Sequence, residues 1–383
     1  MRIRSISVAK LFGIFDHEIP LNMKERITII HGLNGYGKTA ILRMLRGLLS
    51  GESAPLIAVP FATFKVRFAD GSELRVEKKS STLREHILIL YRRENEPDAL
   101  LELVKEGVDP HFHWTRREVA PEPLLALHKS MNVQLIETQR LSVQESAYET
   151  ALVVEEYAKD LAARIGVTLT DYAARSQELD RTFPVRLLQQ IEVVPLPVED
   201  LRSRLGELEK RRTRLATLGF LDPEGNLTDV PQTIEPSKLS VLTIYVSDME
   251  EKLRGFDDLA ARIELFTTIL NDRFSYKRVS VHRDHGFIFT GSNGAPLPLR
   301  ALSSGEQHEV VLLYDLLFRV KPDSLILIDE PEISLHVTWQ QEFVNDLEKV
   351  VKLSGVDVLL ATHSPEIIGE HWDWTVALKG PVT

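Results

Sequence analysis

Residues 302–336 read LSSGEQHEVVLLYDLLFRVKPDSLILIDEPEISLH, and this stretch decides how the rest of the chain is understood. Its front, Leu302-Ser303-Ser304-Gly305-Glu306-Gln307, is a small, polar turn followed at once by a helical apolar pattern. Backbone N–H groups at such a helix start lack intrahelical partners and lie at the positive end of the helix dipole, a natural setting for an anion. Its back, Leu325-Ile326-Leu327-Ile328, is a continuous apolar run too short for a typical helix. It predicts a buried strand of a parallel sheet, delivering Asp329 and Glu330 to the C-terminal edge where ligands sit in open α/β sheets.

A phosphate cradle lies far upstream. Gly32-Leu33-Asn34-Gly35-Tyr36-Gly37-Lys38-Thr39 fits G-x-x-x-x-G-K-[ST] at every fixed position. Arg26–Ile30 before it is strand-like, and Ala40–Leu45 after it is helix-like. Such a loop wraps phosphates with successive backbone N–H groups from Asn34 to Lys38, sends the Lys38 ammonium to the β/γ oxygens, and leaves the Thr39 hydroxyl to ligate Mg²⁺.

These motifs, together with Ala361-Thr362-His363-Ser364 after a further strand, resemble an ABC-type ATPase of the branch that includes SMC, RecF and OLD-type proteins. The stand-alone bacterial ATPases with EPEISLH and THSP motifs, as in antiphage systems of the Septu or PARIS kind, are the nearest pattern within it. The resemblance covers about 1–145 and 275–383 and is poor between them. It implies an α/β fold, a P-loop NTPase head of ABC type, with a mixed sheet, an antiparallel β layer and a helical insertion lobe. The expected domains are 1–145 (Walker A, β layer, Q-loop), 146–274 (a helical or short coiled-coil insert) and 275–383 (signature, Walker B, D-loop, His switch).

The resemblance also implies roles. ATP is held by Asn34, Gly35, Tyr36, Gly37, Lys38 and Thr39, and by Ser303, Ser304, Gly305 and Glu306 of a second copy. Mg²⁺ is ligated by Thr39, Asp329 and Gln139. Glu330 orients and deprotonates the attacking water, Gln139 touches that water, and His363 offers a hydrogen bond to the γ-phosphate. Because the signature completes a site on another chain, a homodimer or higher oligomer built around two sandwiched nucleotides is expected. Phe12 or Phe15 would contact adenine if either does, although each is read as a core aromatic first. Relatives usually place Pro after the His of the loop Ser334-Leu335-His336; here Val337 stands there.

Composition bounds the remaining possibilities. The 383 residues contain no cysteine, which excludes disulfides, thiol catalysis and Cys-ligated metals, and suits a reducing cytoplasm. No apolar run approaches the length of a membrane span, so no membrane partner is expected. A net charge of −10 argues against broad DNA binding over the whole surface, while leaving a single basic groove open.

Taken in order, residues 1–31 predict two strands with a turn over Phe12–Asp16. Hairpins are expected about Asp70-Gly71 and between His86–Tyr91 and Ala99–Val104. His111–Arg117 reads as a loop or strand edge rather than a metal site. Glu149–Asp180 is helix-periodic and should break at Phe183-Pro184. Val198–Leu218 resumes the helix with a basic run, Arg202, Arg204, Lys210, Arg211, Arg212 and Arg214, interleaved with Glu207 and Glu209. Lys238–Phe274 is a third helical span. The expected insert is a compact lobe, since about 30 helical residues reach only about 45 Å.

Three functions compete at this level. The favoured one is an ATP-hydrolysing sensor whose ATP-gated dimer controls a separate effector, a nuclease or toxin partner, in antiphage defence. The alternative is a RecF/SMC-like repair ATPase that binds DNA. An OLD-type nuclease would need an acidic catalytic domain after the ATPase, and the 20 residues beyond His363 are too few for one.

Overall fold

The computed structural model describes residues 1–80, 85–94, 96–106, 113–116, 120–137, 147–188, 195–222, 235–333 and 335–381. Two compact units emerge, one formed by Met1–Glu145 with Asp315–Thr383, the other by Ser146–Tyr314.

The first unit is organised around a five-stranded parallel sheet. Its members are β3 (Ile27–His31), β9 (Val133–Glu137), β13 (Leu325–Asp329), β14 (Asp357–Thr362) and β15 (Thr375–Ala377), in the spatial order β15-β3-β14-β13-β9. All five residues of β13 are buried, as a strand covered on both faces requires. Registers bring Asp329 level with Ala361 on one side and Glu137 on the other, while Thr362 lies beside His31. Four strands therefore end together at one sheet edge.

From β3 the chain passes through Gly32–Gly37 into α1 (Lys38–Ser50). Ile41, Leu42, Met44, Leu45, Leu48 and Leu49 recur at helical spacing and are buried. Full burial of each such side chain contributes about 1.5–3 kcal/mol. The helix stops at Gly51, whose left-handed φ of 75° lets its N–H return to the Gly47 carbonyl.

A seven-stranded antiparallel sheet forms the other layer of this unit, in the order β2-β1-β4-β5-β6-β7-β8. Its strands are β1 (Ile3–Leu11), β2 (Phe15–Pro20), β4 (Thr63–Phe68), β5 (Glu73–Ser80), β6 (Glu85–Arg92), β7 (Ala99–Glu106) and β8 (His113–Arg116). Both expected hairpins are present. The strand β2 was not anticipated: Phe15, His17 and Ile19 alternate inward, and the buried His17 disguises the pattern because it is not apolar. Of the stretch His111–Arg117, His113–Arg116 form the edge strand β8, while His111, Phe112 and Arg117 lie outside the described residues. The two sheets are tied at the end remote from the four strand termini. There Asp357 accepts from Arg2 at 2.8 Å and from Arg26 at 3.1 Å.

The second unit is helical with a small sheet. It contains α4 (Ala147–Leu188), α5 (Val198–Thr217), α6 (Pro236–Arg254), α7 (Asp257–Arg273), the antiparallel strands β10 (Lys277–His282), β11 (Gly286–Gly291) and β12 (Pro296–Leu297), and α8 (Ser304–Tyr314). Residues 275–314, grouped by sequence with the C-terminal ATPase segment, thus pack in this unit, where Arg300 pairs with Glu155 of α4 at 2.7 Å.

Two expectations fail here. α4 does not break at Pro184; it runs 42 residues, roughly 63 Å at 1.5 Å per residue, beyond the expected reach of about 45 Å. Proline removes the N–H that would reach the Asp180 carbonyl. Near this point Arg186 donates to the Leu179 carbonyl at 2.9 Å and grips Asp248 of α6, holding the last turns in place. The span Lys238–Phe274 is two helices rather than one, interrupted at Gly255-Phe256, where Phe256 is fully buried.

No helix among the described residues is long and apolar enough to cross a membrane. The basic run of α5 faces carboxylates: Arg214 meets Glu264 at 2.6 Å, Arg204 meets Glu250 at 3.6 Å, and Arg211 pairs with Asp257. These arginines bind α5 to α6 and α7.

The hairpin β10–β11 turns against α4 at Gly286, where φ is +69° and a Cβ would lie 1.8 Å from the Ala158 carbonyl oxygen. Both backbone strain and the clash oppose any side chain. Gly286→Val should therefore destabilise the fold by roughly 2–4 kcal/mol, read as a lower urea midpoint. An unchanged midpoint would contradict this packing.

Candidate nucleotide-binding site

The site is built where β3, β14, β13 and β9 end. Gly35 and Gly37 of the loop after β3 have φ of +88° and +90°. A Cβ on Gly37 would also meet Leu11 at 2.3 Å, so the loop geometry at this point requires glycine. Tyr36 turns its ring back onto Phe15, with centroids 5.4 Å apart, and its carbonyl receives His17 Nε2 at 3.0 Å. The loop is thereby braced from behind by the antiparallel sheet.

Lys38 is buried, and its ammonium donates to the carbonyls of Gly32 at 2.7 Å and Leu33 at 3.4 Å. A buried ammonium needs such acceptors. In this position it completes the ring of the loop and stands over the hollow the loop surrounds. Phe12, Asn34, Gly35, Gly37, Lys38, Thr39, Ala40, Arg43, Val59 and Glu330 line that hollow, a cavity of about 500 Å³. Phe12 is exposed at its rim, whereas Phe15 is buried in the core.

Asp329 is buried at the end of β13 and accepts a hydrogen bond from the Thr39 hydroxyl. Desolvation pushes its carboxyl from the ordinary 3.8 up to about 6; the Thr39 hydrogen bond and Arg43 oppose the rise, and Glu330 and Glu137 add to it. Arg43 in turn is bonded to Glu137 at 2.7 Å. Two hard oxygen donors, a threonine hydroxyl and a desolvated carboxyl, lie within hydrogen-bonding distance of each other. Such a pair suits Mg²⁺, which takes one or two protein oxygens and completes its shell with water and phosphate oxygens.

Glu330 has a left-handed φ of +48° and its N–H is held by the Ala361 carbonyl at 2.8 Å. A non-glycine residue in this region is strained and must be held by its surroundings. The conformation turns the chain sharply between Asp329 and Pro331, so that two successive carboxylates serve different positions. His363 Nδ1 lies 3.7 Å from Glu330 Oε1 and 2.9 Å from Glu332 Oε1. Asp329, Glu330, Thr39, Lys38 and His363 all belong to the first unit and come from the ends of two adjacent strands, β13 and β14, and the first turn of α1.

The signature residues belong to the second unit. Ser303 and Glu306 form a capping box on α8: Glu306 Oε2 accepts from the Ser303 amide at 2.7 Å and hydroxyl at 2.8 Å, and the Glu306 amide approaches Ser303 Oγ at 3.4 Å. Lys277 donates to the same carboxylate at 2.7 Å. Burial alone would raise the Glu306 carboxyl, but Lys277 and the Ser303 amide and hydroxyl outweigh it and hold the group below its ordinary range. Ser303 and Ser304 remain exposed, and Gly305 is half-buried. Gln139 and Ser334 lie outside the described residues.

Sequence reasoning missed two participants, Glu332 and Arg43. The second glutamate of Glu330-Pro331-Glu332 was visible as a motif, but only the fold shows it buried beneath the switch histidine. Arg43 falls one turn after Thr39 on α1, a spacing that could have pointed to the same helix face.

Residues 194–369 match the family model described as "AAA domain, putative AbiEii toxin, Type IV TA system". Among curated relatives, "Retron Ec83 probable ATPase" of Escherichia coli is 31% identical over 91 residues, 21% of this chain and 16% of that protein. "Zinc import ATP-binding protein ZnuC" of Rickettsia bellii is 34% identical over 84 residues, 22% of this chain and 35% of that protein. The chain thus spans about a sixth and about a third of the length of these relatives. A solved Smc head domain from Pyrococcus furiosus, with an extended coiled coil and bound to the C-terminal domain of ScpA, aligns over 99% of this chain and 94% of that one, at 15% identity and TM-score 0.41. By sequence the chain is similar to AAA-type ATPases.

The raised Asp329 carboxyl gives a stability test. A carboxyl whose folded value exceeds its unfolded value holds more protons when folded between the two, so stability is full below about 4 and is lost as pH rises to about 6. The loss is about 3 kcal/mol for a shift of this size. Asp329→Asn, free of Mg²⁺ and nucleotide, should melt a few degrees above the parent at pH 7.5, with the gain vanishing near pH 4. Equal melting temperatures at pH 7.5 would show that the carboxylate is not desolvated.

Proposed function

We propose that the chain binds Mg²⁺·ATP at Gly32–Thr39 and hydrolyses it, and that two copies close head to tail around the nucleotides. The observation that carries this reading is the convergence of the Lys38 loop, the Thr39–Asp329 pair, Glu330 and His363 at one sheet edge. The similarity to AAA-type ATPases supports it.

In this reading the amides of the loop and the Lys38 ammonium hold the β- and γ-phosphates, and Thr39 and Asp329 hold the cation, with Gln139 as a further ligand. Mg²⁺ when bound neutralises charge on the phosphate oxygens. Glu330 orients the attacking water and takes its proton. His363 hydrogen-bonds the γ-phosphate from the neighbouring strand end. Ser303 and Ser304, exposed at the capped start of α8, and the half-buried Gly305 meet the triphosphate bound by the other copy, with the amides of Ser304 and Gly305 as donors. Glu306 serves that surface indirectly, because its carboxylate holds the cap in shape.

Lys38→Ala should lose ATP binding, whereas Glu330→Gln should keep binding and lower kcat by about 10²–10⁴-fold. Phosphate release and nucleotide affinity measured together separate the two. Parent-rate turnover by Glu330→Gln would remove Glu330 from its role.

Assembly has its own test. Glu330→Gln with Mg²⁺·ATP should double in mass by light scattering, and Ser303→Arg in the same background should not. A mass independent of nucleotide in both would contradict the ATP-gated dimer.

The finer role we propose is control of a separate effector, a nuclease or toxin, through the helical unit. That unit carries the signature helix and the long α4 in one body, so a contact made at α4 is mechanically continuous with the nucleotide-facing turn. The pairing of the α5 arginines with α6 and α7 weighs against DNA as the partner, which the repair reading requires. Affinity capture from the native host with Glu330→Gln should recover a protein whose yield depends on ATP. Recovery of DNA alone would favour the repair ATPase instead.

A further inference from the structure

The turn after β13, Pro331–Ile333, places Glu332 beneath the end of β14. Its carboxylate is buried, and one oxygen, Oε1, gathers three donors from the switch segment. The Thr362 hydroxyl donates at 2.8 Å, the His363 amide at 2.8 Å, and His363 Nδ1 lies at 2.9 Å. The other oxygen is buried with no hydrogen-bond partner among the described residues. The Thr362 hydroxyl also accepts from the Ser364 amide at 3.0 Å. Gln340 closes the ring, donating to the carbonyls of Glu332 at 3.1 Å and Leu335 at 3.0 Å while its own carbonyl accepts from Ser364 Oγ at 3.1 Å.

A buried carboxylate without a cation is costly, and its retention calls for a task. The geometry points to one. We propose that Glu332 is the positioning residue for His363, fixing its ring orientation and the nitrogen that carries the proton. This rests on the nucleotide-hydrolysis reading above for its consequence, though not for its geometry. An ionised carboxylate only accepts, so Nδ1 must hold the proton and Nε2 is the nitrogen left for the phosphate. Glu330, at 3.7 Å from the same nitrogen, is too distant to hold it and stays available to water. Two glutamates separated by one proline thus divide the work: Glu330 faces the water, and Glu332 orients the histidine. Metal-bound histidines are aimed by carboxylates in the same manner, and loss of the carboxylate there typically costs 10–100-fold.

The test has an arm that needs no turnover. In protein labelled with ¹⁵N-histidine, without nucleotide, the His363 ring (assigned by its loss in His363→Gln) should show Nδ1 protonated at a pH where the ring is neutral. In Glu332→Ala that signature should change to the Nε2–H form or to a mixture. An unchanged tautomer in Glu332→Ala would overturn the proposal. The second arm is kinetic. Glu332→Ala should lower kcat by about 10–100-fold with KM for ATP within about two-fold of the parent. Glu332→Ala/His363→Ala should be no slower than His363→Ala alone, because the carboxylate acts through that ring. Additive losses, or a KM defect with normal kcat, would sink the positioning role while leaving the ATPase assignment intact. A parent that does not hydrolyse ATP would instead remove the functional reading, and the tautomer would still decide the geometry.

Discussion

A carboxylate at the buried end of a central strand is the constraint on which this architecture depends. Asp329 terminates a strand with no exposed residue, and burial drives its carboxyl up to about 6. Such a group is tolerated only where something stabilises the charge, and the Thr39 hydroxyl and the Arg43 guanidinium, both on α1, supply part of that. Placing Asp329 there requires β13 between β14 and β9, and placing Thr39 beside it requires the glycine loop to emerge from β3 one strand further on. The antiparallel sheet braces that loop through Phe15, His17 and Tyr36. The Arg2 and Arg26 bonds to Asp357 fix the opposite end, so the two layers are held at both extremes of the site-bearing strands.

Much of this was legible in the sequence because the site obeys local rules. The apolar run Leu325–Ile328 before two carboxylates, and the glycine spacing before Lys38, each require one backbone arrangement, and the fold has it. What sequence could not give lies in contacts made by residues of unexpected polarity. The buried His17 concealed β2 because alternation was sought in apolar side chains. Pro184 signalled a helix end, yet Arg186 donates to the Leu179 carbonyl and anchors the turn to a distant helix through Asp248, so tertiary bonding overrides the local rule. Glu332 had no role assigned from sequence, because its burial depends on β14 lying beside it.

The second unit shows a different economy. Its signature turn is held by a Ser303–Glu306 capping box and by Lys277, so the small residues that face solvent are carried on a rigid helix start. The long α4, the small sheet and α8 share one body.

The central proposal is that Thr39 and Asp329 hold a cation through which ATP is bound. Calorimetric titration of ATP into the protein, with Mg²⁺ in excess or with chelator, tests it. One nucleotide should bind per chain, with affinity that falls on removing Mg²⁺ in the parent and is indifferent to Mg²⁺ in Asp329→Asn. Binding that ignores Mg²⁺ in the parent, or that keeps its full Mg²⁺ dependence in Asp329→Asn, would contradict it.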